Sequence, residues 1–314
     1  HSVDELIKVM KPWYDNYCFA EEEYGKTTMY NSVMVLNFLD KYIRNNYNIP
    51  KNMVESNVRI DYDKVRMLIR HDKEFAHDAS IIQQLVTQGF VTGKLVENFP
   101  AERINDPDNF LSLLFYFGMV TIDGDYKGVT KFIIPNEVVR DQMYTCLLDT
   151  YKENDLTYDS FNKGKLESQL AYDGNYKAYF EFIADSLKRY SSQRDKQKGE
   201  AFVHGFTLAM TSQNQFYRPI SELDNDGGYA DIFLSPLCDI YKDMVDSYII
   251  ELKYCKTNTA DEQLQVLFKE ASAQICRYAN SDIVKESVKT TKLHKLVVIY
   301  RGAEMVMCEE VTEE

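Results

Sequence analysis

The sequence predicts an α/β chain, α+β in the segregation of its elements, with a helical N-terminal region ahead of a mixed sheet flanked by helices. Three observations predict it. Residues 1–100 read mainly as helices, with apolar residues at helical spacing. From Asp106 short strand-like runs alternate with helical ones. After residue 198 the order becomes helix, three strands, helix and two strands, the pattern of a sheet with helices packed on it. A length of 314 residues suits two domains. They are expected at 1–155 and 156–314, the second opening with a helical connector that reaches about residue 195.

In the first part, Val33, Leu36, Leu39, Tyr42 and Ile43 mark a helix from about Ser32 to Asn45, and Pro50 and Pro100 punctuate the region. A helix from Asn109 to Phe117, a strand from Met119 to Asp123, a turn at Gly124-Asp125, a strand from Val129 to Ile134 and a helix from Glu137 to about Tyr151 follow. Helix, hairpin, helix is a winged-helix-like order. The connector, about Tyr158 to Tyr190, shows Phe180, Ile183, Ala184 and Leu187 as one apolar stripe, and the basic stretch Lys188–Lys198 marks the boundary. Beyond it we expect a helix at Gly199–Thr211 and strands at Tyr217–Glu222, Gly228–Leu234 and Ser247–Tyr254. A helix at Ala260–Asn280 and strands at Lys295–Tyr300 and Glu304–Val311 complete the set.

Composition narrows the function classes. A net charge of −13 argues against a protein that coats nucleic acid without specificity, although metal ions and local Lys/Arg clusters can offset repulsion of phosphate. The six cysteines form no C-x-x-C pair, so neither zinc nor iron–sulfur chemistry is indicated, and they read as reduced thiols of a cytoplasmic protein. The longest apolar stretch, Phe110 to Ile122, is too short for a bilayer, so no membrane partner is expected. A start at His1 rather than Met reads as a fragment of a longer protein.

The chemistry concentrates in Ser247–Tyr254. Alternation places Tyr248, Ile250, Leu252 and Tyr254 on one face and Ile249, Glu251 and Lys253 on the other. A carboxylate and an ammonium thus point the same way from a strand that is otherwise buried, which is costly unless they serve each other or a metal. In the preceding strand Asp231 is the only charge, and the connection Ser235–Met244 lets the two strands pair as a hairpin with Asp231 beside Glu251. Two carboxylates at one point favour a hard cation with oxygen ligands, Mg2+ (or Mn2+). Lys253 beside them can orient water or stabilise charge developing on a phosphate.

This order, G-x-x-D-x19-E-x-K, resembles the PD-(D/E)XK nuclease superfamily, with Asp231, Glu251 and Lys253 matching its core triad. Glu200, opening its helix, stands where the superfamily often has a further acidic residue. Gln274 and Tyr278 match the Q-x-x-x-Y motif of exonuclease-like branches. The resemblance implies a restriction-endonuclease-like fold and hydrolysis of nucleic acid; DNA is the expected substrate, although the sequence does not distinguish it from RNA. Asp231, Glu251 and Glu200 would hold metal, Gln274 would complete the catalytic set, and Tyr278, Lys196 and Lys198 would touch the nucleic acid. Trp13–Phe19, Tyr30-Asn31-Ser32 and Phe110–Ile122 further resemble the C-terminal part of the AAA-ATPase-like proteins of bacteria, in which an ATPase-like module precedes such a domain. There Asp15 is usually followed by Gly and Asn31 by Pro; this chain has Asn16 and Ser32.

Plainer readings stand beside these. Gly25-Lys26-Thr27 lacks the upstream glycine of a phosphate-binding loop, since Ala20 holds that position, and Glu21–Glu23 would repel a triphosphate, so no ATP site is expected in this chain. His71-Asp72 and His77-Asp78 read as a solvated helical face, Glu200 as a first-turn acid favoured by the helix dipole, and Tyr278 as a packing residue. The basic runs Lys188–Lys198 and Lys285–Lys295 read as solvated faces. The rival to a nuclease is a regulatory or binding module that keeps the fold without catalysis.

Overall fold

A computed structural model describes residues 1–50, 52–54, 81–103, 106–153, 155–192, 199–220 and 231–312. The chain divides into two units, His1–Cys146 and Leu147–Glu314. His71, His77, Lys196 and Lys198 lie outside the described residues.

In the first unit, helix α1 (Val3–Tyr14) starts with a reciprocal cap, the Ser2 hydroxyl accepting from the Glu5 amide and the Glu5 carboxylate from the Ser2 amide. Helix α2 (Ser32–Arg44) starts at Asn31, whose side chain accepts from Met34 N. Met34, Phe38 and Tyr42, at i and i+4 spacing, bury against Met10 and Tyr14 of α1. After α3 (Ile81–Gln88) come β1 (Phe90–Thr92), α4 (Pro107–Tyr116), β2 (Thr121–Tyr126), β3 (Val129–Ile133) and α5 (Glu137–Glu153). The three strands form an antiparallel sheet in the order β1-β3-β2. The helix, hairpin, helix order is present, with β1 as an additional strand.

The hairpin turn differs from the expectation. It lies at Lys127-Gly128, not Gly124-Asp125. Lys127 (φ 55°) and Gly128 (φ 85°) both take the positive φ that a tight two-residue hairpin needs. Gly124 (φ 83°) instead sits in the bulge between Ile122 and Asp125, where an extra residue kinks the strand. Asn16 (φ 78°) is likewise left-handed and donates to the Pro135 carbonyl at 3.0 Å. Asn is one of the few side chains that tolerate the conformation glycine favours.

In the second unit the expected connector is two helices, α6 (Ser160–Asp173) and α7 (Tyr176–Ser192), because Gly174 takes a left-handed φ of 66° and ends α6. Helix α8 (Glu200–Ser212) leads to a five-stranded sheet of β4 (Tyr217–Ile220), β5 (Ile232–Pro236), β6 (Asp246–Cys255), β7 (Lys292–Arg301) and β8 (Glu304–Glu310). The strands stand in sequence order, antiparallel throughout except for β6 and β7. That parallel step is made by α9 (Asp261–Tyr278) and α10 (Asp282–Val288). The sequence reading ran one helix to Asn280 and missed α10, which Ser281 caps at Val284 N.

Helices cover both faces of the sheet. Tyr248 donates its hydroxyl to Leu170 O of α6 at 2.7 Å and meets the ring of Tyr217 edge-on. On the other face Phe233 and Ile249 pack with Ile275 and Tyr278 of α9 and Val284 of α10. The result is a mixed α/β architecture consistent with a restriction-endonuclease-like fold. Among the described residues no helix is long and apolar enough to cross a membrane.

Candidate active site

The β5–β6 register sets the site. Ile232 pairs with Ile250, Phe233 with Ile249 and Leu234 with Tyr248, so continuing it by one residue sets Asp231 opposite Glu251. Asp231 lies just before β5, and its carboxylate takes the place of a strand carbonyl: Oδ2 accepts from Leu252 N at 2.7 Å. Glu251 and Lys253 share a face of β6, and Lys253 Nζ donates to Glu251 Oε1 at 2.7 Å. The three residues expected to converge therefore do so.

Glu251 is the anomaly. It is only 2% exposed, and among the described residues its Oε2 is buried with no hydrogen-bond partner. Burial pushes its carboxyl up to about 7; the neighbouring Asp231 charge adds to the rise, while Lys253 and the Asp231 main chain, which also acts on the carboxyl, help to lower it. For Lys253, burial works against the ammonium, but Glu251 first, then Asp231 and Glu200, outweigh it and raise its pKa. A buried carboxylate oxygen with no donor is expensive, and a cation is the natural partner for it.

The remaining candidates separate. Glu200 is exposed on the first turn of α8 and reaches Lys253 electrostatically. Among the described residues no three His, Cys, Asp or Glu side chains form a metal-holding group, so Glu200 does not complete a ligand cluster with Asp231 and Glu251 in this conformation. Two carboxylates fit Mg2+ nevertheless, because that ion keeps several waters and leaves positions for substrate phosphate oxygens. Gln274 is partly buried beside the core position Ile275, and among the described residues no hydrogen bond joins it to Asp231, Glu251 or Lys253. Tyr278 is 6% exposed inside the apolar cluster of Phe233, Ile249 and Ile275. Its burial in this cluster gives it a packing role there.

Two features escaped the sequence reading. His204, one helical turn after Glu200, contacts the main-chain carbonyl of Asp231, Nε2 to O, at 3.0 Å. At the start of β6, buried Asp246 meets His294 Nε2 at 2.8 Å, while His294 Nδ1 meets Glu310 at 2.9 Å and its ring stacks on Tyr248. Helical spacing from Glu200 could have flagged His204. Nothing in the sequence ties Asp246, His294 and Glu310 together before the strand order is known.

An acidic pair and a lysine on paired strands of such a sheet could hold a divalent ion and stabilise charge on a phosphate. Residues 198–310 match the family model of the PD-(D/E)XK nuclease superfamily, so this segment is similar to the domains of that superfamily. No curated protein matches the chain, and no solved structure does.

Proposed function

We propose that the C-terminal unit is a Mg2+-dependent nuclease hydrolysing phosphodiester bonds of DNA, with Asp231 and Glu251 as metal ligands and Lys253 as the catalytic ammonium. The observation that carries this reading is the buried Oε2 of Glu251, without a hydrogen-bond partner among the described residues, opposite Asp231 and with Lys253 on the same face. A bound divalent ion supplies Lewis-acid charge to the phosphate and a more acidic water. Hydrolysis adds water across one P–O bond, the water oxygen going to phosphorus and a proton to the departing alkoxide. Lys253 holds the attacking water or the non-bridging oxygen as negative charge grows, a donor role worth about 100-fold or more in rate. Glu200, exposed at the helix start and within electrostatic reach of Lys253, serves the outer edge of the site. The N-terminal unit is read, from its resemblance alone, as the tail of an ATPase-like module.

The test is cleavage of plasmid and single-stranded DNA with Mg2+ or Mn2+. Wild type should cut and Lys253→Ala should lose at least about 100-fold. Equal activity in both preparations would point to a contaminant and remove the catalytic assignment. No cleavage of any substrate by a protein that binds the ion would favour the recognition-module alternative.

A further inference from the structure

We propose that His204 is a positioning residue of this site: from α8 it hydrogen-bonds the main-chain carbonyl of Asp231 and so holds the Asp231 carboxylate against Glu251. The inference rests on the metal-site reading above and adds a residue to it.

The need for such a residue follows from the register. Among the described residues the β5–β6 register runs from Ile232↔Ile250, so Asp231 stands at the end of the described ladder, where the site depends on how its side chain is held. Two side-chain-mediated bonds anchor it there. Leu252 N holds the carboxylate by Oδ2, at 2.7 Å, and His204 Nε2 holds the carbonyl, at 3.0 Å. With both its main chain and its side chain anchored, Asp231 has little freedom to swing away from Glu251. His204 suits the task because it is 8% exposed and sits on a helix that packs against β4 and β6, so its own place is fixed.

The chemistry assigns the hydrogen. A carbonyl oxygen only accepts, so Nε2 carries the proton and cannot at the same time give its lone pair to a cation. Through this bond His204 acts on Asp231. Groups that orient a ligand in this way are worth about 10- to 100-fold in metal affinity when removed.

The experiment compares wild type, His204→Met and His204→Gln in the full chain. The two replacements have similar size, but only glutamine can donate to the carbonyl. Mn2+ affinity is measured by calorimetry, with metal-free thermal unfolding alongside. We expect His204→Met to weaken Mn2+ binding about 10- to 100-fold, and His204→Gln to recover most of it. Should the methionine variant fail to fold, His204→Leu takes its place. Wild-type affinity in a folded methionine or leucine variant would overturn the proposal. So would a glutamine variant as weak as methionine. A wild-type protein that binds no Mn2+ overturns the metal-site reading itself, a distinguishable outcome.

Discussion

Replacing Glu251 with glutamine isolates the electrostatic cost of the site. In the metal-free protein its carboxyl titrates near 7 instead of its ordinary 4.5, because it is buried beside Asp231. A folded-state value above the unfolded one means that the folded protein binds the proton more tightly. The associated stability is fully present below the unfolded value, near 4.5, and is lost as pH rises through 7. Between pH 5 and 8 the linkage integral gives a loss of roughly 2–3 kcal/mol from this one group. Glu251→Gln does not titrate, so the effects of groups that do not interact with this position cancel when variant and wild type are compared at each pH. Urea unfolding in EDTA should show the variant gaining about 2–3 kcal/mol on wild type from pH 5 to pH 8. The Lys253 ion pair is lost in the variant, which offsets the two curves without changing that difference much. Parallel curves would refute the reasoning, since they would mean that Glu251 is not held ionised at a cost.

Other outcomes follow from the same geometry. Mg2+ should raise the thermal midpoint of wild type, by the equivalent of about 2.7 kcal/mol at 100 times its dissociation constant, and Asp231→Ala should abolish the shift in differential scanning fluorimetry. His294→Phe keeps a ring against Tyr248 but leaves Asp246 and Glu310 without their partner, and should cost about 3 kcal/mol or more in chemical denaturation. Asn16→Ala forces a side chain that resists a φ of 78° and deletes the bond to Pro135, whereas Asn16→Gly deletes only the bond. Alanine should therefore be the more destabilising by about 1 kcal/mol in the same assay.

How much was legible in the sequence depended on whether the signal was local. Strand β6 could be read from Ser247–Tyr254 because a period of two separates Glu251 and Lys253 from the apolar face. The partnership with Asp231 could be read because a short connection makes a hairpin and a hairpin fixes register. The turn in the N-terminal unit misled because Gly-Asp has turn composition, while the chain spends that glycine on a bulge and turns at Lys127-Gly128. The break at Gly174 was hidden by apolar residues that suit one helix or two. Tyr278 fits both a motif and a core stripe, and it is buried in the core cluster. His204 was invisible for a different reason. Its partner is a main-chain carbonyl, which leaves no side-chain type to match.

The most direct measurement is a crystal structure after Mn2+ soaking, with anomalous diffraction used to locate the ion. An anomalous peak bounded by the carboxylates of Asp231 and Glu251, with Glu251 Oε2 among its ligands, is the predicted result. A map with no peak there, at a Mn2+ concentration that supports any measured activity, would contradict the metal assignment and with it the nuclease mechanism.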